Sequence, residues 1–553
     1  MRKLLSIFLV ASLTVTMFSG CGGSSSPQNA PASAPSAAAP APAVSTPAAA
    51  PAASAPTQQT GGVSEHLRVG INADVADLAP YSSSSNGRNS IMFALYEYLG
   101  VLEHVGGEVK GQIMKEYSSD DGFVYDIVIY DYVHDTAGNP ITADDIVFSF
   151  ETAKEKGNST NTRRIEQIEK TGEYSVRLKI NANYVGGFSS VLSAVPIVSI
   201  AAYEASSDEM AATPVATSPY KVSEFVPGSS VTLERTDNYW QKDASLQTVY
   251  ATANSAKITY TTIKEAAQMS IALETGNIDM GLSLDAMEAA RFMEGGNSAN
   301  GFTVFEEITN IGNQIYLSGN PDGPFYDNLA LREAVLYAID KQGLVDAVLN
   351  GYGLIEYTFG AESFGDFQES WKNEDYFDYN PEKSKQLLQE AGYKDGELTL
   401  RIMTDNTSLR NKVAQIVQSF LLNVGIKSEI LQYDSALFNS YKTTPTEWEI
   451  CLDNTGASDY VVSAWRSKFD ARQFDLGSTN GWKDDTMQAL LEKALAFDGH
   501  TAEDVEAFHQ YFKSQAYAMG LFNHTFFTVA VDSINNIKYD SKMFVIAPAS
   551  EIN

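Results

Sequence analysis

The chain has 553 residues, 44% of them hydrophobic, and sets 38 basic against 69 acidic side chains for a formal charge of −31. That length supports two or three domains with full cores, and the apolar fraction is that of an ordinary globular protein. So acidic a surface repels nucleic acid and anionic lipid, which removes both from the expected partners.

The N-terminus reads as an address. Arg2 and Lys3 precede an apolar stretch, 4–18, that is too short and too interrupted by Ser and Thr to span a bilayer. Ser19, Gly20 and Gly22 around Cys21 resemble a bacterial lipoprotein signal, with Phe18 where such signals usually carry an aliphatic residue. The resemblance implies a signal over 1–20, a lipid on Cys21, and a protein held at the outer face of the cell membrane. Residues 21–63 are rich in Ala, Pro and Ser and carry no charge before Ser64. They can bury almost nothing and are expected to form a disordered tether. The second cysteine, Cys451, lies in Trp-Glu-Ile-Cys-Leu and reads as a buried strand residue.

Residues 66–71 form the first expected strand, and the polar loop Tyr-Ser-Ser-Ser-Ser-Asn-Gly-Arg at 81–88 offers Ser84 and Asn86 to a ligand. Residues 90–99 are apolar nearly all round and predict a buried helix. A strand follows at 123–130. Thr142 and Asp145 then match a capping box at the head of a helix running to about Lys156, so Asp144 and Asp145 read as first-turn acids and not as a catalytic pair. Period-two alternation at 220–225 and 231–235 about Pro227 and Gly228 predicts a β-hairpin, with Tyr239 and Trp240 delivering two rings to a core. Helix is expected at 264–275, strand at 277–280, and helix where Leu331, Val335 and Ile339 share one face, with a further turn at 344–349. Asn380, Pro381 and Gly392 punctuate another helix. Strand 398–403, helix 408–422 and strand 425–431 make a βαβ unit and imply a partly parallel sheet. A strand at 447–453 and two helices between 484 and 512 complete the series.

No phosphate-binding loop, dinucleotide fingerprint or nucleophile elbow occurs. The six histidines form no H-E-x-x-H, and one thiol past the leader rules out a cysteine zinc site. Neither catalysis nor a cofactor or metal is expected.

Five stretches, in order, carry a resemblance to the extracytoplasmic solute-binding proteins of peptide-type ABC importers. They are Asn-Pro-Ile-Thr-Ala-Asp-Asp-Ile-Val-Phe-Ser-Phe at 139–150, the hairpin region through Asn-Tyr-Trp at 238–240, and Leu-Glu-Thr-Gly-Asn-Ile-Asp at 273–279. Leu-Arg-Glu-Ala-Val-Leu-Tyr-Ala-Ile-Asp at 331–340 and Tyr-Asn-Pro-Glu-Lys-Ser-Lys-Gln-Leu-Leu-Gln-Glu-Ala-Gly-Tyr at 379–393 are the others. The resemblance implies an α/β, two-lobed periplasmic-binding-protein-like fold with an extra small domain inserted in the first lobe. Lobe I would take 64–99, 196–313 and 521–553, the insert 100–195, and lobe II 314–520.

It also implies a binding protein without enzymatic activity, monomeric, that closes on a peptide and delivers it to an ABC permease in the membrane. In peptide-binding members an aspartate on a loop of the second lobe meets the α-ammonium. The corresponding stretch here is 453–465, with Asp459 the best match and Asp453 in reserve, and Tyr460 and Trp465 beside them. Asn454 and Thr455 stand where members often carry Gly-Trp. Dipeptide-type members grip the free carboxylate with an arginine in the turn after strand 398–403, but this chain has Thr-Asp-Asn-Thr there and Arg410 only in the following helix. That difference favours a longer peptide over a dipeptide. The alternatives keep the fold and exchange the ligand for an oligosaccharide, metal chelate, opine or signalling peptide, or make the chain an extracytoplasmic enzyme or adhesin.

Overall fold

The computed structural model describes residues 64–552 apart from 83–88, 158, 160, 457, 473–480 and 498, so Cys21, Ser84 and Asn86 lie outside the described residues. Its frame is one ten-stranded sheet. In chain order the strands are β1 (Ser64–Ile71), β2 (Tyr220–Val226), β3 (Ser230–Arg235), β4 (Ser255–Thr262) and β5 (Met280–Leu284). The others are β6 (Phe302–Leu317), β7 (Thr399–Asp405), β8 (Lys427–Tyr433), β9 (Ile450–Asn454) and β10 (Ala518–Val531). Across the sheet they run β8-β7-β9-β6-β10-β5-β1-β4-β3-β2.

The βαβ unit is present: β7 and β8 pair in parallel, and the helix Ser408–Asn423 joins them. The hairpin also forms, β2 and β3 pairing antiparallel at the sheet's edge. Tyr239 and Trp240 are buried and donate to the Glu97 carboxylate at 2.6 and 2.7 Å. Those bonds explain why the helix expected over 90–99 stops early, at Asn89–Leu95. Residues 96–99 instead continue as buried irregular chain, with the Tyr98 N–H donating to the Gln112 side chain and Ile197 N–H donating to the Glu97 carbonyl. The strand expected at 277–280 begins at Met280, because the preceding helix ends in a Thr275–Gly276 turn whose hydrogen bonds reach on to Ile278.

Sheet strands Met114–Ser118, Val124–Ile129, Ile165–Gly172 and Ser175–Ile180 form a separate four-stranded antiparallel sheet. The helix Ala143–Lys156 packs on it, burying Ile146 and Phe150. Its N-terminus is tied as the capping pattern requires: the Thr142 N–H and hydroxyl both donate to Asp145 Oδ2, at 2.8 and 2.9 Å, while Asp145 Oδ1 accepts from the Ile200 N–H at 2.8 Å. Asp144 pairs with Lys170 on the surface. Both acids are structural. Asp145→Ala leaves three half-buried donors unsatisfied and is expected to cost about 1–3 kcal/mol, read by chemical denaturation.

Two large apolar cores result. One is drawn from 67–282 and 530–547 and includes the four-stranded sheet; the other is drawn from 315–522. Among the described strands, β6 and β10 run from one to the other. They pair antiparallel over most of their length, with register breaks between Ile308 and Gly312 and between Asn313 and Gln314. At that break the chain is polar yet buried, with Thr309, Asn310, Asn313, Gln314 and Asn523 all shielded from water. Glycine is required there. A Cβ on Gly312 or on Gly520 would lie 2.0 Å from a carboxylate oxygen of Glu356, which fills the crossing and whose carboxyl burial pushes up to about 8. No helix among the described residues is long and apolar enough to cross a membrane.

Candidate functional site

The two bodies meet along a line of contacts that closes a groove. Tyr184 of the small-sheet region bridges to Ala496, the Val185 N–H donates to the Leu495 carbonyl at 3.1 Å, and Ser463 donates back to the Val185 carbonyl. Further along, Gly106 and Gly365 touch backbone to backbone: a Cβ built on Gly365 falls 2.4 Å from the Gly106 Cα. Overpacking of that kind costs about 1–3 kcal/mol, and here the cost falls on the contact between the two bodies. Gly365→Ala is therefore expected to weaken ligand binding by about tenfold or more and to enlarge the radius of gyration of the liganded protein in X-ray scattering.

Beneath these contacts lies the loop after β9. Asp459 sits one residue before the cap of the helix Val461–Phe469. Its carbonyl accepts the Gly365 N–H at 3.0 Å, and the neighbouring Asp366 carboxylate caps the helix by accepting from the Val461 and Val462 N–H groups. Asn310 at the strand crossing donates to the carbonyls of Ser458 and Ser541, tying the loop to the C-terminal segment. The Asp459 main chain is thus fixed from three sides, while its carboxylate is hydrogen-bonded to Ser541 and drawn by Lys542. Oδ1 is buried without a hydrogen-bond partner. Burial pushes the carboxyl above the ordinary aspartate range, against the pull of Lys542 and Ser541. Asp540 is pushed up to about 6, chiefly by burial, with the charge of Asp459 adding to the rise.

A cavity of about 170 Å³ opens on Asp459, with Tyr460, Ser463, Gly186 and Lys542 among its walls. It shares Arg164, Tyr184, Arg466 and Ser467 with a larger cavity of about 990 Å³, so the two form one groove between the bodies. Tyr460 lies in this groove, its ring 6.1 Å from that of His500.

Asp453 does not face the groove as a free carboxylate. It is 4% exposed and ringed by Lys468 at 2.9 Å, Lys442 at 3.2 Å and Arg410 at 3.5 Å. Burial alone would raise its pKa; the three cations outweigh that and hold it far below the usual carboxylate range. Trp465 corrects the sequence expectation too. One turn along from Val461, it falls on the buried face of the helix, stacked on Phe508 with ring centroids 4.4 Å apart, as part of the lobe core and not the groove wall. Arg410 stands in the helix after β7, as the sequence implies, and binds Asp405 at 2.7 Å. Sequence reading missed the groove's arginines, which come from stretches 300 residues apart in the chain and carry no local motif.

Comparison with known proteins bears on this geometry. The family model described as bacterial extracellular solute-binding proteins, family 5 Middle, matches residues 108–489. The oligopeptide-binding protein AppA of Bacillus subtilis (strain 168) is 26% identical over 393 residues, a match covering 65% of this chain and 65% of AppA. The glutathione-binding protein GsiB of Salmonella paratyphi A is 24% identical over 380 residues, covering 66% of this chain and 69% of GsiB. The solved structure of HbpA2 from Haemophilus parasuis superposes with a TM-score of 0.75 at 18% identity, covering 88% of this chain and all of that one, which shows a shared fold.

Proposed function

This chain belongs to the bacterial extracellular solute-binding proteins, family 5, which bind solutes outside the cytoplasm and are not enzymes, and we propose that its solute is a peptide. The peptide enters the groove between the two bodies, its α-ammonium is met by Asp459, and the closed complex presents it to an ABC permease in the membrane. Closure follows from contacts that exist only when both walls touch the same guest.

One observation carries the reading: a carboxylate oxygen of Asp459 is buried in the interlobe cavity with nothing bonded to it. Lys542 and Ser541 only partly offset the burial of this carboxylate, and an ammonium group at Oδ1 adds a charge-assisted hydrogen bond. The relatives named for oligopeptide and glutathione binding support a peptide as the guest. Lipid attachment at Cys21 and a monomeric state belong to the same reading; the intact mass of protein extracted from membranes tests the first.

Native mass spectrometry of the purified chain against a peptide library of mixed lengths is the direct test. Retained or added peptides, stoichiometric and lost on N-acetylation, are the expected result. A chain that takes up no peptide of any length sinks the reading.

A further inference from the structure

The two bodies also meet through an aromatic contact that involves no charged group. Phe497 follows the helix Asp485–Ala494 of the second body, stands outside that body's core and is 39% exposed. Its ring partner lies across the groove. Tyr125, on a strand of the small four-stranded sheet, meets it edge to face, with centroids 6.3 Å apart and planes at 87°. Gly122, three residues before Tyr125, lies so close under the ring that a Cβ there would fall 2.6 Å from Phe497 Cγ.

Each half of this contact is held in place by its own body. Gly122 takes a φ of +69°, and its N–H donates to the Ser119 hydroxyl at 3.0 Å. The next two N–H groups, of Phe123 and Val124, donate to Asp121 at 2.8 and 2.9 Å. Glycine accepts that left-handed turn without strain, and its missing side chain leaves the flat seat on which the phenyl ring rests. Behind the seat Tyr125 stacks on Phe188 at 3.8 Å, and Phe188 packs on Tyr117 at 4.9 Å. On the other wall, the Leu495 and Ala496 N–H groups donate to the carbonyls of Leu491 and Lys493 at 2.9 and 3.1 Å, so the helix end carries the chain straight to Phe497. The His500 ring, donating to the Ala494 carbonyl at 2.7 Å, ties down the return.

We propose that Phe497 is a latch: it seats in the Gly122–Tyr125 notch when the groove shuts, and so sets the ratio of shut to open chain whether or not a guest is present. The inference goes beyond the peptide reading, because the contact joins wall to wall and involves no guest. Moving an exposed phenyl ring from water onto a second ring is favourable, and here the gain exists only while the two bodies are together. It gives the inserted small-sheet region a task of its own, that of holding the second body. Such a latch acts on all guests alike and leaves the choice among them to the groove.

Hydrogen–deuterium exchange of the full chain, purified and without added guest, tests this directly. The Val185 N–H donates to the Leu495 carbonyl at 3.1 Å, a bond from one body to the other, so its exchange rate reads how often the bodies part. Phe497→Ala is expected to speed exchange at Val185 by about tenfold, and Phe497→Leu, which keeps bulk but not the ring, to fall between. Amides inside the helix Asp485–Ala494 are expected to keep their rates in both variants, since the ring lies beyond the helix and outside the core. Unchanged exchange at Val185 in Phe497→Ala overturns the latch. Equal acceleration at Val185 and along the helix also overturns it, since the ring would then be supporting its own body. Exchange at Val185 as fast as that of an unprotected amide in the unaltered chain overturns it as well, because the bodies would not stay together at all.

Discussion

Asp459→Asn is expected to lower affinity for peptides with a free α-ammonium by on the order of a hundredfold, because removing one partner of a buried charge pair costs about 2–5 kcal/mol. The same substitution is expected to leave the melting temperature of the unliganded chain unchanged or slightly raised. Its oxygen Oδ1 has no partner to lose, and an amide avoids the burial cost of a charge that Lys542 and Ser541 only partly offset. The loop would hold its shape, since the bonds that fix it run through the Asp459 carbonyl and the Asp366 carboxylate. N-acetylated peptides provide the control: they lack the ammonium, so wild type and Asp459→Asn should bind them alike. Equal affinity of both proteins for the free-amine peptide would remove Asp459 from the site.

The pH dependence follows from the same burial. A carboxylate must be ionised to hold an ammonium group, and both Asp459 and Asp540 are pushed up, the latter to about 6. Affinity for a free-amine peptide should therefore fall on acidification at a higher pH than that at which an exposed aspartate protonates, because burial raises Asp459. The stability of the empty chain moves the opposite way for these groups. Their folded pKa values exceed the unfolded ones, so the folded state holds the extra protons. Their ionisation costs stability as the pH rises through the raised values, and the guest offsets that cost.

Most local elements were legible because one strong pattern served one core. The capping pattern at Thr142 and Asp145, the Asn380–Pro381 helix start and the βαβ unit around Ser408–Asn423 each needed only a single face to be buried. The two longest strands were not legible. β6 contains Glu307, Thr309, Asn310, Asn313 and Gln314, and half of it belongs to each body, so these polar residues are buried at the crossing and no alternation survives. The site divides likewise. Asp459 was reached through the likeness of one loop to a family, and nothing in its immediate neighbours distinguishes it from a solvated acid. Trp465 stood in the same window, and only helical phase sends it to the core. The arginine pair at Arg164 and Arg466 exists as a pair only after Tyr184 has been docked between the bodies.

Asp453→Asn is expected to be the most destabilising of these substitutions, by about 3–5 kcal/mol, since it strips one buried anion from three cations at once. Lys468, Lys442 and Arg410 each lie within 3.5 Å of its carboxylate, and all three are largely buried. Arg410 keeps Asp405, at 2.7 Å, but the two lysines are left to repel each other beside Cys451. Equilibrium denaturation at several pH values separates this electrostatic role from simple packing. The folded pKa of Asp453 lies far below that of the unfolded chain, so its contribution is complete above about pH 4 and drains away as the pH falls further. The stability gap between wild type and Asp453→Asn should accordingly narrow on acidification below that point. A gap that stays constant down to pH 2 would mean that shape, and not charge, holds this corner of the lobe together.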